Sequence, residues 1–412
     1  MKSKGLNIRI QFLLLLTMIT PCLTWAQKKE LSQARTYIKS GKDFDKAERL
    51  MTDLLKKDSA SRDNKKVYAV WLEAVHRQYQ TANEKLYLKQ KQDTAAFFEL
   101  TRRMFTIAET LDSIDVRPDK KGRVEPEYRQ KNAEQLNTYR PNLYNAGNFF
   151  MRKGDFKKAF VFFESYIDCG RQPLFAERAY DSTDVRMPEA GYWATYCAYR
   201  QHDPVLTLRY RKLALRDSAK AANTLMYMAE ARKWLNDDEL YLKTLEEGFH
   251  RFPTFHYYFP RLMDEYSRVG LLDKALATAD EALAANDSNQ LYLFAKSTIL
   301  LRMDRWAESI QYSERLIQQC DTLPEPYFNA GVAYLNMAER LDAKKDKKLR
   351  KVAFQKAQGY MERYRELAPD DKEKWAPALY RIYLNLNLGR QFDEMDRLLK
   401  TKVQLTGNQV PV

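Results

Sequence analysis

Thr207, Tyr241, Ala275 and Ser309 each fall 34 positions after the last, at the same place in a helix-like apolar pattern. That spacing limits the fold more than any other feature. A unit of this length cannot bury a core alone and must stack on copies of itself. The stretch LYNAGNFFMRKGDFKKAFVFFESYI, 143–167, shows what one unit contains. Ala146 and Gly147 form a small pair, and Phe150 follows one turn later. Gly154 and Asp155 interrupt the pattern, and Ala159 and Phe163 begin a second apolar stripe. A small pair lets two helices approach closely, and an aromatic one turn away fills the gap. The result is an αα-hairpin. YFNAGVAY, 327–334, repeats the first half of this unit 184 positions further on, because two hairpins need the same close contact. Gly and Pro make up about 7% of the chain, which disfavours a turn-rich β fold.

The pattern resembles the tetratricopeptide repeat, with Leu143, Ala146, Gly147, Phe150, Ala159 and Phe163 at the positions that family fills with packing residues. The resemblance extends over 140–402, in units near 140–171, 188–221, 222–255, 256–289, 290–323, 324–371 and 372–402. Some units depart from the pattern. Arg232 replaces an aromatic, and Lys296 and Ser297 replace a small apolar pair. The basic stretch LDAKKDKKLRKVAFQ delays a second helix by 14 residues and reads as a charged spike. Upstream, 27–116 reads as looser hairpins of the same kind and 117–139 as a charged connector leading into a helix. Residues 172–187 are an insertion and 403–412 a tail. The expected fold is all-α, a right-handed superhelical solenoid of stacked hairpins.

Residues 1–26 carry Lys2, Lys4 and Arg9 before an apolar run from about Phe12 to Ile19, then a TWA-Q junction. This reads as a signal peptide cleaved after Ala26. The run is too short to span a bilayer. Pro21 stands before Cys22 where a lipidation signal needs a small residue, so no lipid anchor is expected. The expected location is the periplasm of a Bacteroidota-like bacterium, with no transmembrane span. Without the three leader cations, 66 Lys and Arg face 55 acidic residues, a balance of +11. In that compartment the charge points to anionic envelope polymers, lipid head groups or an acidic partner rather than nucleic acid. Cys169 and Cys197 are open to two readings, a disulfide or two buried small residues.

None of His76, His202, His250 and His256 belongs to a metal-binding motif, and no nucleophile elbow or phosphate loop occurs. The expectation is a non-enzymatic protein without cofactor or metal. In the tetratricopeptide family the first helices line a concave groove that holds extended peptides or partner helices. By repeat position the groove here contains Tyr144, Asn148, Arg152, Tyr192, Tyr196, Arg200, Met226, Glu230, Trp234, Asp264, Arg268, Phe294, Thr298, Arg302 and Phe328. Arg152, Arg200, Trp234, Arg268 and Arg302 share one repeat position. The planar donor forks of Arg200, Arg268 and Arg302, beside the aromatic faces of Tyr196, Trp234 and Phe294, suit an acidic extended peptide or an anionic polymer. The Lys and Asn set with which chaperone-binding relatives hold a carboxylate is missing. The expected function is thus a scaffold that binds a protein segment. The alternative is a glycan- or anionic-polymer-binding protein.

Overall fold

A computed structural model describes residues 27–119 and 121–407. The signal-peptide reading of 1–26, Cys22 included, lies outside them. The described residues form α-helices, short 3-10 turns and no strand. The chain divides into two compact units, one ending at Thr244 and the other starting at Leu245.

The first unit contains α1 (27–39), α2 (Phe44–Lys57), α3 (Lys65–Tyr87), α4 (Thr94–Asp115), α5 (Arg129–Arg152), α6 (Phe156–Asp168), α7 (Tyr180–Thr183), α8 (Met187–Arg200), α9 (Pro204–Arg209), α10 (Arg211–Ala214) and α11 (Ala221–Trp234). The division falls within α12 (Asp238–Arg251). The second unit continues with α13 (Tyr258–Val269), α14 (Leu272–Ala285), α15 (Gln290–Arg302), α16 (Trp306–Gln319), α17 (Glu325–Arg340), α18 (Lys347–Leu367), α19 (Lys372–Asn385) and α20 (Gly389–Gly407). Helix α20 thus runs into the stretch read as a tail. The charged connector lies within the first unit. Helix α4 packs on α5, and one buried cluster runs from Tyr68 to Tyr210 across the connector.

The 34-residue period is visible in the backbone. His202, Asn236, Gly270 and Asp304, each 34 after the last, all adopt left-handed conformation, with φ of 55°, 55°, 76° and 57°. Each ends the first helix of a hairpin. The following residue's N–H then reaches back to a carbonyl in that helix: Asp203 to Ala198 (3.2 Å), Asp237 to Arg232 (3.0 Å), Leu271 to Tyr266 (2.8 Å) and Arg305 to Leu300 (2.9 Å). Gly154 and Asp155 make the same turn, Asp155 donating to Phe150 O at 3.0 Å. This is the Schellman closure, which satisfies carbonyls left open at a helix end. Asp155, Asp203 and Asp237 then cap the second helix, their carboxylates accepting from Lys158, Leu206 and Leu240 N–H.

Packing follows the same register. Ala159, Thr207, Tyr241, Ala275, Ser309 and Ala357 occupy the second-helix contact, and none is more than 2% exposed. A Cβ on Gly147 would stand 2.6–2.8 Å from the Phe163 ring, so only glycine fits the α5–α6 contact. At Gly331 the nearest atom is the Met361 methyl at 3.0 Å. The unit carrying Lys296 and Ser297 solves its contact with polar groups. Ser297 Oγ lies 2.6 Å from Ser313 Oγ and accepts from Asn329 at 3.1 Å, while Ser309 donates to Ser297 O. Buried hydroxyls are tolerated where all find partners. Lys296 lies largely buried over the Tyr312 ring and pairs with Asp280 at 2.5 Å.

The insertion after α6 is anchored by the buried Arg140 of α5. Its guanidinium is sandwiched between the Tyr166 and Tyr180 rings at 3.8 and 3.9 Å. It also donates to Tyr166 O at 3.1 Å and to the Asp184 carboxylate. Cys169 lies in this nest with its Sγ 3.3 Å from Arg140 Nε, and Cys197 is buried elsewhere in the same cluster. Both are free thiols, pushed up to about 12 by burial.

Candidate interaction surface

Helix α8 packs on α11, so the first helices of consecutive hairpins lie side by side. The sequence YWATYCAYR places aromatics at 192, 193, 196 and 199 on α8, at helical spacing, and α11 adds Tyr227 and Trp234. They form one continuous assembly. Trp193 meets Tyr196 at 5.9 Å and Tyr196 meets Tyr227 at 5.8 Å. Tyr199 stacks on Tyr227 at 4.6 Å and on Trp234 at 5.5 Å, with only 15° between the Tyr199 and Trp234 planes. His202 adds a ring 5.1 Å from Trp234. Tyr192 and Tyr227 form the buried base, and burial raises the Tyr227 phenol well above its ordinary range. Trp193, Tyr196, Tyr199, Met226 and Trp234 are half-buried. Rings held this way combine large contact area with little rotamer freedom left to lose.

The structure therefore gathers Tyr196, Met226 and Trp234 with the buried Tyr192, and places exposed Arg200 at their edge. Glu230 lies half-buried on α11, and Arg152 is exposed at the end of α5. Two of the expected groove residues are mainly core. Tyr144 and Tyr192 are 9% and 6% exposed, and Tyr144 packs edge-on to Phe163. The apolar stripe of a stacked helix is wide enough to take in the neighbouring position. Asn148 donates back to Tyr144 O at 3.3 Å.

The recurring arginines have structural partners that the sequence reading lacked. Arg200 lies 4.4 Å over the Phe156 ring and donates to Tyr196 Oη at 2.6 Å. Arg302 donates to Ser267 O in the preceding hairpin at 3.1 Å, and Arg268 pairs with Glu265 at 2.7 Å. Arg200, Arg268 and Arg302 all lie in the last turn of a first helix, where cations favour the helix dipole. In the second unit, Phe294 packs into the Leu283, Leu293 and Leu316 cluster, and Phe328 meets Tyr364 at 5.1 Å. Thr298 accepts from Asn329, and Asp264 is exposed.

Among the clefts of the first unit, two gather titratable side chains that were not foreseen. One, of about 440 Å³, opens between α1, α3 and α5 and is lined by Arg35, Glu73, His76, Arg77, Lys131 and Asn132, among others. His76 lies 3.0 Å from Tyr139 Oη. Burial, then Arg77 and Lys131, pull its pKa below the ordinary imidazole value. The signal was present as polar residues at helical spacing: Glu73, Arg77 and Gln80 on α3, with Lys131 and Gln135 on α5. The other cleft, of about 310 Å³, lies on the second-helix side and contains Glu109, Glu164 and Asp168, the last two bridged by Arg209. Burial and the nearby Asp168 push Glu109 up to about 7. Among the described residues no group of three or more His, Cys, Asp or Glu is placed to hold a metal, and no helix is long and apolar enough to cross a membrane.

No family model matches the chain, and no curated protein matches it. Among solved structures it is similar to the C-terminal part of a TPR repeat-containing protein from Cytophaga hutchinsonii, at 11% identity and TM-score 0.43, covering 61% of this chain and 92% of that one. It is also similar to a TPR repeats protein from Bacteroides fragilis, at 15% identity and TM-score 0.31, covering 64% and 98%. A third is YrrB, described as a TPR protein with an unusual peptide-binding site, at 14% identity and TM-score 0.26, covering 59% and 94%.

Proposed function

We propose that this protein is a non-enzymatic scaffold of the cell envelope that holds a segment of a partner protein against the first-helix face of α8 and α11. The observation that carries this reading is the half-exposed aromatic assembly of Trp193, Tyr196, Tyr199 and Trp234 on a rigid, buried base. Such rings are the usual anchors of protein interfaces. The charged start, apolar centre and TWA-Q junction of the first 27 residues support export to the periplasm.

The test is capture of partners from envelope extract by the wild type and by a Tyr196→Ala/Trp234→Ala variant. Both side chains lie at the surface of the assembly, so the variant should melt near the wild type. It should nevertheless lose a stoichiometric protein partner by at least tenfold. Undiminished capture contradicts the proposal. Retention on polysaccharide in place of any protein supports the glycan-binding alternative, since stacked Tyr199 and Trp234 also present a flat face of the kind sugars use.

A further inference from the structure

The basic stretch that reads as a spike becomes the start of α18 and the turn before it. Helix α18 has 21 residues where the second helices α14 and α16 have 14, about 10 Å of additional helix. Lys344 and Lys345 in the turn, and Lys347, Lys348 and Lys351 on the helix, are all exposed. Among the described residues none of these five side chains has a hydrogen bond, an ion pair or a ring contact. The two nearby carboxylates are engaged by the turn's own backbone. Asp342 accepts from Lys344 and Lys345 N–H at 2.8 Å each, and Asp346 accepts from Asp342 N–H at 3.2 Å. The fold gains nothing from placing cations here. Lys347 and Lys348 open a helix whose first turn has no acidic residue, so they stand at the positive end of its dipole. Lys347 and Lys351, four residues apart on one helix, repel each other. The recurring arginines are the reverse case, lying at the negative ends of their helices with partners inside the fold.

A second observation is independent of charge. Leu349 and Val352 are 64% and 51% exposed among these lysines. Three residues apart, they are neighbours on the helix surface, while Ala353, Phe354 and Ala357 form the buried side of the same helix. At the root of the stretch a cleft of about 300 Å³ opens between α18 and the turn from α19 to α20. Lys347, Arg350 and Lys351 line it together with Asn385 and Asn387, and no acidic residue does. Arg350 is fixed there by donating to Asn385 Oδ1 at 2.8 Å. An occupant of this surface has to satisfy both its cations and its aliphatic side chains. A soluble acidic polymer neutralises lysines but leaves Leu349 and Val352 in water. An anionic bilayer supplies phosphates at its surface and an apolar layer immediately beneath, and lysine stems reach past apolar groups to such a boundary.

We infer that the basic end of α18 is a docking surface for an anionic lipid bilayer, on which Lys344, Lys345, Lys347, Lys348 and Lys351 meet headgroup phosphates while Leu349 and Val352 enter the acyl boundary. The contact is peripheral and reversible, since two aliphatic side chains bury little apolar area. It uses none of the residues of the aromatic face on α8 and α11 and does not depend on the scaffold reading.

The experiment measures co-sedimentation with vesicles of phosphatidylcholine alone and of a two-to-one mixture of phosphatidylcholine and phosphatidylglycerol. It uses the chain from Gln27, which keeps every described helix and omits the apolar run of 12–19 that would itself enter lipid. Partition into the anionic vesicles should exceed that into the neutral ones at least tenfold, and should fall as salt rises. A Lys344→Gln/Lys345→Gln/Lys348→Gln/Lys351→Gln variant should lose this preference while melting no lower than the wild type, because it removes repulsion and no contact. Leu349→Ser/Val352→Ser keeps every charge and should still lose at least threefold in partition. Equal partition into the two vesicles, or a preference that survives in the lysine variant, overturns the inference. Undiminished partition of the Leu349→Ser/Val352→Ser variant, or release of the wild type from vesicles by polyglutamate of equal charge, also overturns it and assigns the spike to a soluble acidic polymer. Tyr196→Ala/Trp234→Ala should partition like the wild type; a loss in that variant moves the lipid contact to the aromatic face and overturns the assignment to α18.

Discussion

Arg140→Ala is expected to destabilise the first unit by about 3–5 kcal/mol, the cost of breaking a buried ion pair and leaving one partner uncompensated. Arg140 is 5% exposed, and four groups depend on it: the Tyr166 and Tyr180 rings, Tyr166 O and the Asp184 carboxylate. Its loss strands Asp184 and unpins the insertion after α6. Burial alone would raise the Asp184 pKa, but hydrogen bonds from Tyr166 and Arg140 outweigh it and hold the carboxyl below its ordinary value. A depressed folded-state pKa contributes stability that is present above the unfolded value, near 3.8, and is lost as pH falls through the folded one. Urea melts at neutral pH and at pH 3 should therefore show a gap between wild type and Arg140→Ala that narrows in acid. An unchanged midpoint at neutral pH contradicts the anchoring role.

Gly147→Leu should lower stability by roughly 3 kcal/mol, at the upper end of the overpacking range. The first added carbon already meets the Phe163 ring at 2.6 Å, and that ring is buried and held edge-on against Tyr144. Gly331→Leu should cost less, because its nearest contact is the end of a flexible methionine at 3.0 Å. Because stacked hairpins contact mainly their neighbours, the loss at Gly147 should appear as early melting of one part of the chain. Differential scanning calorimetry of the two variants decides the matter. If both melt like the wild type, the assigned repeat register is wrong.

The hairpin register was legible because it depends on residue size and spacing. Ala159, Ala275 and Gly147 can be recognised by what they exclude, and all are buried where the pattern puts them. The turns carry an equally regular signal that is harder to read. Gly270 marks a left-handed position openly, but His202, Asn236 and Asp304 occupy the equivalent positions without announcing it. The candidate surface was legible only in part. Tyr196 and Trp234 follow from repeat position, whereas Tyr144 and Tyr192 turn inward because their helices are packed on more than one side.

The helix-end arginines illustrate what a sequence pattern lacks. Their recurrence was visible, but their partners, the Phe156 ring and the Ser267 carbonyl, lie about 35–45 residues away and become neighbours only on folding. The α1–α3–α5 cleft was missed for a related reason. Arg35, Arg77 and Lys131 belong to three helices in the most degenerate part of the repeat pattern. Only the fold brings them to one opening.

Site-specific photo-crosslinking in intact cells tests the central claim most directly. Benzoylphenylalanine at Tyr196 retains an aromatic ring on the proposed face, and the same residue at the exposed Val205 of α9 places the probe on a second helix. The account predicts a discrete protein adduct from position 196, of one mass, and none above background from position 205. Equal adducts from both positions, or none from 196 while the protein is folded, contradict the claim that the α8–α11 face receives a partner.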